Sequence, residues 1–165
     1  MTRQSKTLQL QIRVSPQEKA AIRRYAKEAN IGLSQWILDR IFPPAQQTFQ
    51  DLLARMKNAP DPKNVFAEIN DLLTAAAGDE FDVVVSRPPP ESLSDYQRNY
   101  VAAMVECAAV LKGRKAPPWV ENVLPLKEPV FGSDLQNLRL YLLTHSPPPF
   151  RRRNIFIDST IGKRV

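Results

Sequence analysis

Cysteine and histidine are nearly absent from this chain: Cys107 and His145 are the only examples in 165 residues. A single thiol excludes an intramolecular disulfide framework and a thiolate metal cluster. With only one imidazole beside it, His-rich zinc sites and most Cys/His metal sites are excluded too, and general-base chemistry has little to draw on. Glycine is also scarce, at five residues, and no Gly-rich phosphate loop, paired-carboxylate motif or metal-ligand spacing occurs. We therefore expect no enzyme, no metal and no cofactor. No run approaches the roughly eighteen apolar residues of a membrane span, and the polar N-terminus has no signal-peptide core. The chain reads as cytoplasmic, with no membrane partner.

What is present is charge, unevenly placed. The total of 23 Lys+Arg against 17 Asp+Glu gives +6 and a pI near 9.7. Residues 1–44 hold eight basic residues against three acids, 45–94 four against eight, and 95–165 eleven against six. A basic, then acidic, then basic chain suggests separate partners for separate segments, and basic excess is the sign that accompanies polyanion binding.

Residues 8–14, Leu-Gln-Leu-Gln-Ile-Arg-Val, alternate strictly. Leu8, Leu10, Ile12 and Val14 fall on one face of a strand; Gln9, Gln11 and Arg13 fall on the other. Gln and Arg side chains can make bidentate contacts to adenine and guanine edges. A helix start follows: Ser15 as N-cap, Pro16 at the first helical position and Glu18 closing a capping box. Ile22, Tyr25, Ala26 and Ala29 recur at helical spacing, and Asn30 and Gly32 end the helix. The next helix is expected to start at Ser34 as N-cap, with Leu33 and Leu38 as a hydrophobic staple. Trp36, Ile37, Ile41 and Phe42 form its buried stripe, and Pro43-Pro44 stops it.

A strand with no neighbour is unstable in water, and forty residues bury too little core. Antiparallel pairing with the same strand of a second chain answers both problems. The apolar faces then cover four helices, and the polar faces make a two-stranded ribbon that fits a DNA major groove. The alternative is an ordinary α+β sheet in which Leu8–Val14 pairs with the strand-like run Phe81–Val85, leaving Gln9, Gln11 and Arg13 as a solvated face.

Leu8–Val14, the Ser-Pro-x-Glu start at 15–18, and Gly32-Leu33-Ser34-x-Trp36-Ile37 resemble the ribbon-helix-helix family of DNA-binding proteins, and most closely its antitoxin and plasmid-regulator branch. The resemblance covers about residues 6–43. It implies a homodimer on double-stranded DNA, with Gln9, Gln11 and Arg13 reading bases. It also implies a phosphate held by the backbone N–H groups near Ser34 and Gln35, and a dimer core of Leu8, Leu10, Ile12, Val14, Trp36 and Ile37. The function it implies is that of a bacterial transcriptional autoregulator or antitoxin whose residues 45–165 bind a toxin protein. The second function it allows is an accessory DNA-binding protein of plasmid mobilisation or partition.

Beyond Pro44, residues 45–77 predict two amphipathic helices separated by 58–62. Phe49, Leu52, Leu53 and Met56 stripe the first; Val65, Phe66, Ile69, Leu72 and Leu73 stripe the second, opened by Asp61-Pro62 and closed by Gly78. These are either plain core or an acidic linker that folds on a partner. Pro88-Pro89-Pro90 marks a boundary. A longer helix over about 95–112 has Ser94 and Gln97 as a capping box and Gly113 at its end, with Tyr96, Tyr100, Val101, Met104, Val105, Ala108 and Leu111 inward. Cys107, among alanines, reads as a packing residue.

Residues 116–132, with four prolines, read as irregular but packed around Trp119 and Phe131. A last helix is expected from Ser133 with Gln136, burying Leu135, Leu138, Leu142 and Leu143. Arg151, Arg152 and Arg153 then form either a solvated basic turn or a site for an anion or acidic partner, since adjacent guanidiniums repel unless something offsets them. Ile155–Ile157 reads as a strand. A catalytic reading would need His145, these arginines and Asp158 to converge, and no spacing supports it. Residues 117–154 are also similar to the ends of small bacterial proteins found beside nucleotidyltransferase-like toxin genes. The expected fold is mostly α with few short strands, divided as a ribbon-helix-helix module over 1–44, an acidic helical segment over 45–87 and an α-rich domain with a basic tail over 88–165.

Overall fold

The computed structural model describes residues 11–158, and these are mainly helical: eight α-helices and two short strands. The chain divides after Phe42 into two compact units.

In the first unit, α1 (Pro16–Glu28) and α2 (Leu33–Ile41) pack on each other. The start of α1 is the expected capping box: Glu18 N–H donates to Ser15 Oγ at 3.2 Å and Ser15 N–H to Glu18 Oε2 at 2.7 Å. It ends in a Schellman motif, with Asn30 in the left-handed region (φ 53°), Ile31 N–H reaching Ala26 O and Asn30 N–H reaching Lys27 O.

The second unit contains α3 (Pro44–Asn58), α4 (Lys63–Ala75), α5 (Gly78–Val84), α6 (Asp95–Leu111), α7 (Arg139–His145) and α8 (Pro148–Arg151). It also holds the strands β1 (Val130–Phe131) and β2 (Ile155–Phe156). α3 packs on α4 and α5, while α4 and α8 pack on α6. The two predicted stripes both turn inward: Phe49, Leu52, Leu53 and Met56 from α3 meet Val65, Phe66, Ile69 and Leu73 from α4. A bidentate Arg55–Glu68 pair, at 2.8 and 3.0 Å, ties the outer edges of the two helices. α6 repeats the grammar of α1, with a Ser94/Gln97 capping box and a Schellman close on Gly113 (φ 63°). Phe66, Tyr100 and Phe150 form a ring cluster across α4, α6 and α8, with Phe66 stacked on Tyr100 at 3.9 Å and Phe150 edge-on at 5.1 Å. The strands pair in parallel, Val130 with Ile155 and Phe131 with Phe156. Parallel neighbours need a long crossover, here the stretch carrying α7 and α8.

Several expectations are corrected. Phe81–Val85 is not strand-like: Phe81, Val84 and Val85 are buried at the i, i+3, i+4 spacing of α5 and its C-cap, and Asp79 and Glu80 favour a helix start there. The α+β pairing of 8–14 with 81–85 therefore has no second strand. Gly78 does not close α4, which ends at Ala75; it opens α5 in the left-handed region (φ 51°). Residues 45–87 and 88–157 do not form separate cores. One buried cluster runs from Phe49 to Ile157, and Trp119 Nε1 donates to Val85 O at 2.7 Å across the proline run. Leu111 is 87% exposed, two residues past Ala109, the last buried residue of α6. The helix expected from Ser133 starts instead as a 3-10 turn at Gln136–Leu138 before α7; of its four leucines only Leu142 is buried.

Candidate nucleic-acid interface

The first unit carries the residues expected to meet DNA. Of the strand, Leu8, Gln9 and Leu10 lie outside the described residues. Gln11, Ile12, Arg13 and Val14 are all exposed and belong to neither helix nor strand within the single chain, with Ile12 56% and Val14 42% accessible. An apolar side chain that exposed contributes almost nothing to a core.

α2 begins two residues earlier than expected. Gly32, not Ser34, is its N-cap, in extended conformation, and Trp36 N–H reaches Gly32 O at 2.8 Å. The Schellman close of α1 explains the shift. With Asn30 already left-handed and Ile31 bonded back to Ala26, the chain is free to re-enter a helix at Leu33. Leu33 is thus the first helical residue rather than the leading half of a staple, and Ser34 the second. Gly32 has no side chain to cap the helix, and Ser34 and Gln35 in its first turn are exposed.

Trp36 and Ile37 are half-buried. Trp36 stacks on Tyr25 of α1, ring centres 5.9 Å apart and planes 17° from parallel, with the Arg40 guanidinium 5.3 Å from its centroid. Tyr25 is the partner the sequence reading placed only as one of a stripe. Ile41 and Phe42, expected in that stripe, stay 47% exposed. In the described part of the unit Ala26 alone is fully buried.

The cluster Arg151–Arg153 separates into different roles. Arg153 is buried: its Nη1 donates to Glu106 at 2.7 Å and to Pro149 O at 2.9 Å, and its Nη2 to Val120 O at 3.2 Å. Arg152 donates to the other Glu106 oxygen, and Arg151 is exposed. The group that offsets the adjacent guanidiniums is therefore inside the chain. Arg152 and Arg153 are joints of the second unit, not an open anion site, because Glu106 already takes both. Sequence reading missed Glu106; its one signal is an acid in the alanine-rich part of α6, beside Cys107. The Cys107 thiol is pushed up to about 11, chiefly by burial, which keeps it protonated and unreactive. His145 is exposed, stacked on Tyr141 of its own helix, with Nδ1 3.0 Å from Tyr141 O. Among the described residues no helix is long and apolar enough to cross a membrane. No protein-family model, curated protein or solved structure matches the chain.

Proposed function

We propose that the chain is a homodimeric, sequence-specific binder of double-stranded DNA, acting through its first unit as a transcriptional autoregulator and antitoxin. Its second unit, in this reading, holds a partner protein. The observation that carries the first part is the imbalance of the first unit: Ala26 is its single buried residue among those described, while Ile12, Val14, Tyr25, Ile31, Ile41 and Phe42 remain exposed. A pair of helices that covers so little of its own apolar surface needs a second chain to cover the rest. Pairing residues 8–14 with their copy puts Leu8, Leu10, Ile12 and Val14 against both helix pairs and leaves Gln9, Gln11 and Arg13 for the groove. Ser34 and Gln35 then approach the DNA backbone, where amide groups and the positive end of α2 favour a phosphate.

A partner for the second unit is supported by the exposed Leu135, Leu138, Leu140, Tyr141 and Leu143, which lie within nine residues around α7. Exposed apolar residues gathered in one short stretch favour a protein contact.

Full-length protein offered a library of fragments from its own genome should retain a subset sharing a repeated half-site, and should run as a dimer. Removing residues 1–44 should abolish both properties and leave the rest folded. A full-length monomer that retains no fragment over random DNA would overturn the reading.

A further inference from the structure

α1 carries a second line of positive charge that the ribbon and the start of α2 do not use. Lys19, Arg23 and Lys27 recur every four residues, which places them along one face of the helix. All three are exposed, and none has an ion-pair or hydrogen-bond partner for its side chain among the described residues. The acids of α1 are committed elsewhere: Glu18 to Ser15 in the capping box and Glu28 to Arg24 at 3.8 Å. The unit's third acid, Asp39 on α2, accepts from Gln35; like charges at i, i+4 repel, so this face costs the free protein stability and keeps a positive potential. Arg23 and Lys27 also line a shallow groove with Ala26, Asn30, Ile31 and Leu33, where α1 gives way to α2.

We propose that this face is a second backbone contact for double-stranded DNA, with Arg23 and Lys27 each neutralising a phosphate beside the one approached by the start of α2. The inference rests on the DNA-binding reading above and extends it to residues on α1. Charge is the argument for the occupant: unpaired cations at the regular spacing of a helix face match a line of phosphates, and backbone contacts carry no base information. The face should therefore add affinity for any duplex, and salt dependence with it, while discrimination stays with the strand.

The test is the salt dependence of binding by the full-length chain to a labelled random-sequence duplex, followed by fluorescence anisotropy. Each phosphate no longer neutralised should lower the log–log slope by about 0.9. Arg23→Gln/Lys27→Gln should thus bind with a slope shallower by about twice that amount, whereas Arg23→Lys/Lys27→Arg should keep the wild-type slope. Arg24→Gln, whose cation already serves Glu28, should leave it unchanged. Melting of the double Gln variant should not fall, since it relieves a repulsion; a lower melting temperature moves the readout to single Gln variants, each expected to flatten the slope by one phosphate. If wild type binds steeply and the Gln variants keep its slope, the face serves something other than DNA, an acidic protein being the alternative, and the inference is wrong while the DNA reading stands. If wild type binds no duplex, both fall together.

Discussion

The two units of this chain solve the same problem in opposite ways. The second gathers six helices and two strands around a buried cluster running from Phe49 to Ile157, with Phe49, Leu53, Ile69, Phe81 and Ile155 fully covered. The first has well-made helix ends, a capping box and a Schellman close, yet among its described residues buries only Ala26 completely. Good local grammar specifies where a helix starts and stops; it does not supply the apolar burial that keeps the helix folded. The contrast teaches that helix signals and apolar burial are separate properties: the second unit has both, and the first, among its described residues, has mainly the signals.

Core truncation should divide the units most sharply. Phe81→Ala or Phe49→Ala should cost about 3–5 kcal/mol, the range for emptying a buried aromatic site, and the loss should not depend on protein concentration. Ile12→Ala should instead shift a melting transition that itself moves with concentration, as dimer linkage requires. A concentration-independent transition for residues 1–44 would break the comparison, because that unit would then be holding itself together.

The Glu106 joint comes next. Glu106→Ala should cost about 3–5 kcal/mol, since it leaves the Arg153 guanidinium buried without its carboxylate. Arg151→Ala should be nearly silent in the same chemical denaturation. If the two variants unfold alike, the three arginines are one solvated turn after all.

On the DNA side, Gln11→Ala or Arg13→Ala should lose about 1–3 kcal/mol of discrimination between selected and random duplex for each bidentate pair removed. Thermal stability should hardly move, because both side chains are exposed. A stability loss equal to that of Ile12→Ala would mean that both faces of the strand are buried.

The smallest effects test the helix starts. Ser15→Ala should cost about 1 kcal/mol by removing a cap. Ser34→Ala should cost close to nothing in thermal melts, because Gly32 is the N-cap of α2. The Ser15 box also has a pH signature. Hydrogen bonds from Ser15, the backbone one foremost, hold the Glu18 carboxyl below its ordinary value of 4.5. A depressed carboxyl stabilises the fold above the unfolded value, and that contribution disappears as pH falls through the folded one. Acid titration of wild type against Glu18→Gln should show this component missing from the variant.

Which of these features could be read from the sequence follows from how far apart their parts lie. The capping boxes at Ser15 and Ser94 and the stop at Gly113 are spelled within four residues, and they stand where expected. The stripes of α3 and α4 were legible because a 3.6-residue period sustained over a dozen residues fits little else. Phe81–Val85 was not, since four apolar residues in a stretch of five, broken by Asp82, satisfy a strand and a helix turn equally; only the partners of Phe81 and Val84 decide. The start of α2 slipped by two residues because the closing bonds of α1, invisible in composition, set where the next helix begins. Glu106 and Arg153 lie 47 residues apart, and no local pattern announces such a pair. The leucines of 135–143 carry a core-like spacing, yet most face outward. Periodicity reports an apolar face, not what covers it.

The placement of Arg153 has a consequence for the order in which the protein is made. Synthesis runs from the N-terminus, so α1 and α2 emerge first and, in a dimer, can meet their counterparts in another nascent or finished chain while the rest is still being assembled. The second unit has no such freedom. Glu106 on α6 waits for a guanidinium 47 residues later, and Ile155, among its most deeply buried side chains, comes after that. Until the ribosome has passed that point, α3 to α6 can collapse but hold a carboxylate with no counter-charge and an opening where Ile155 belongs. A message cut short before that codon would give a chain with α1 and α2 intact and a second unit left unsealed.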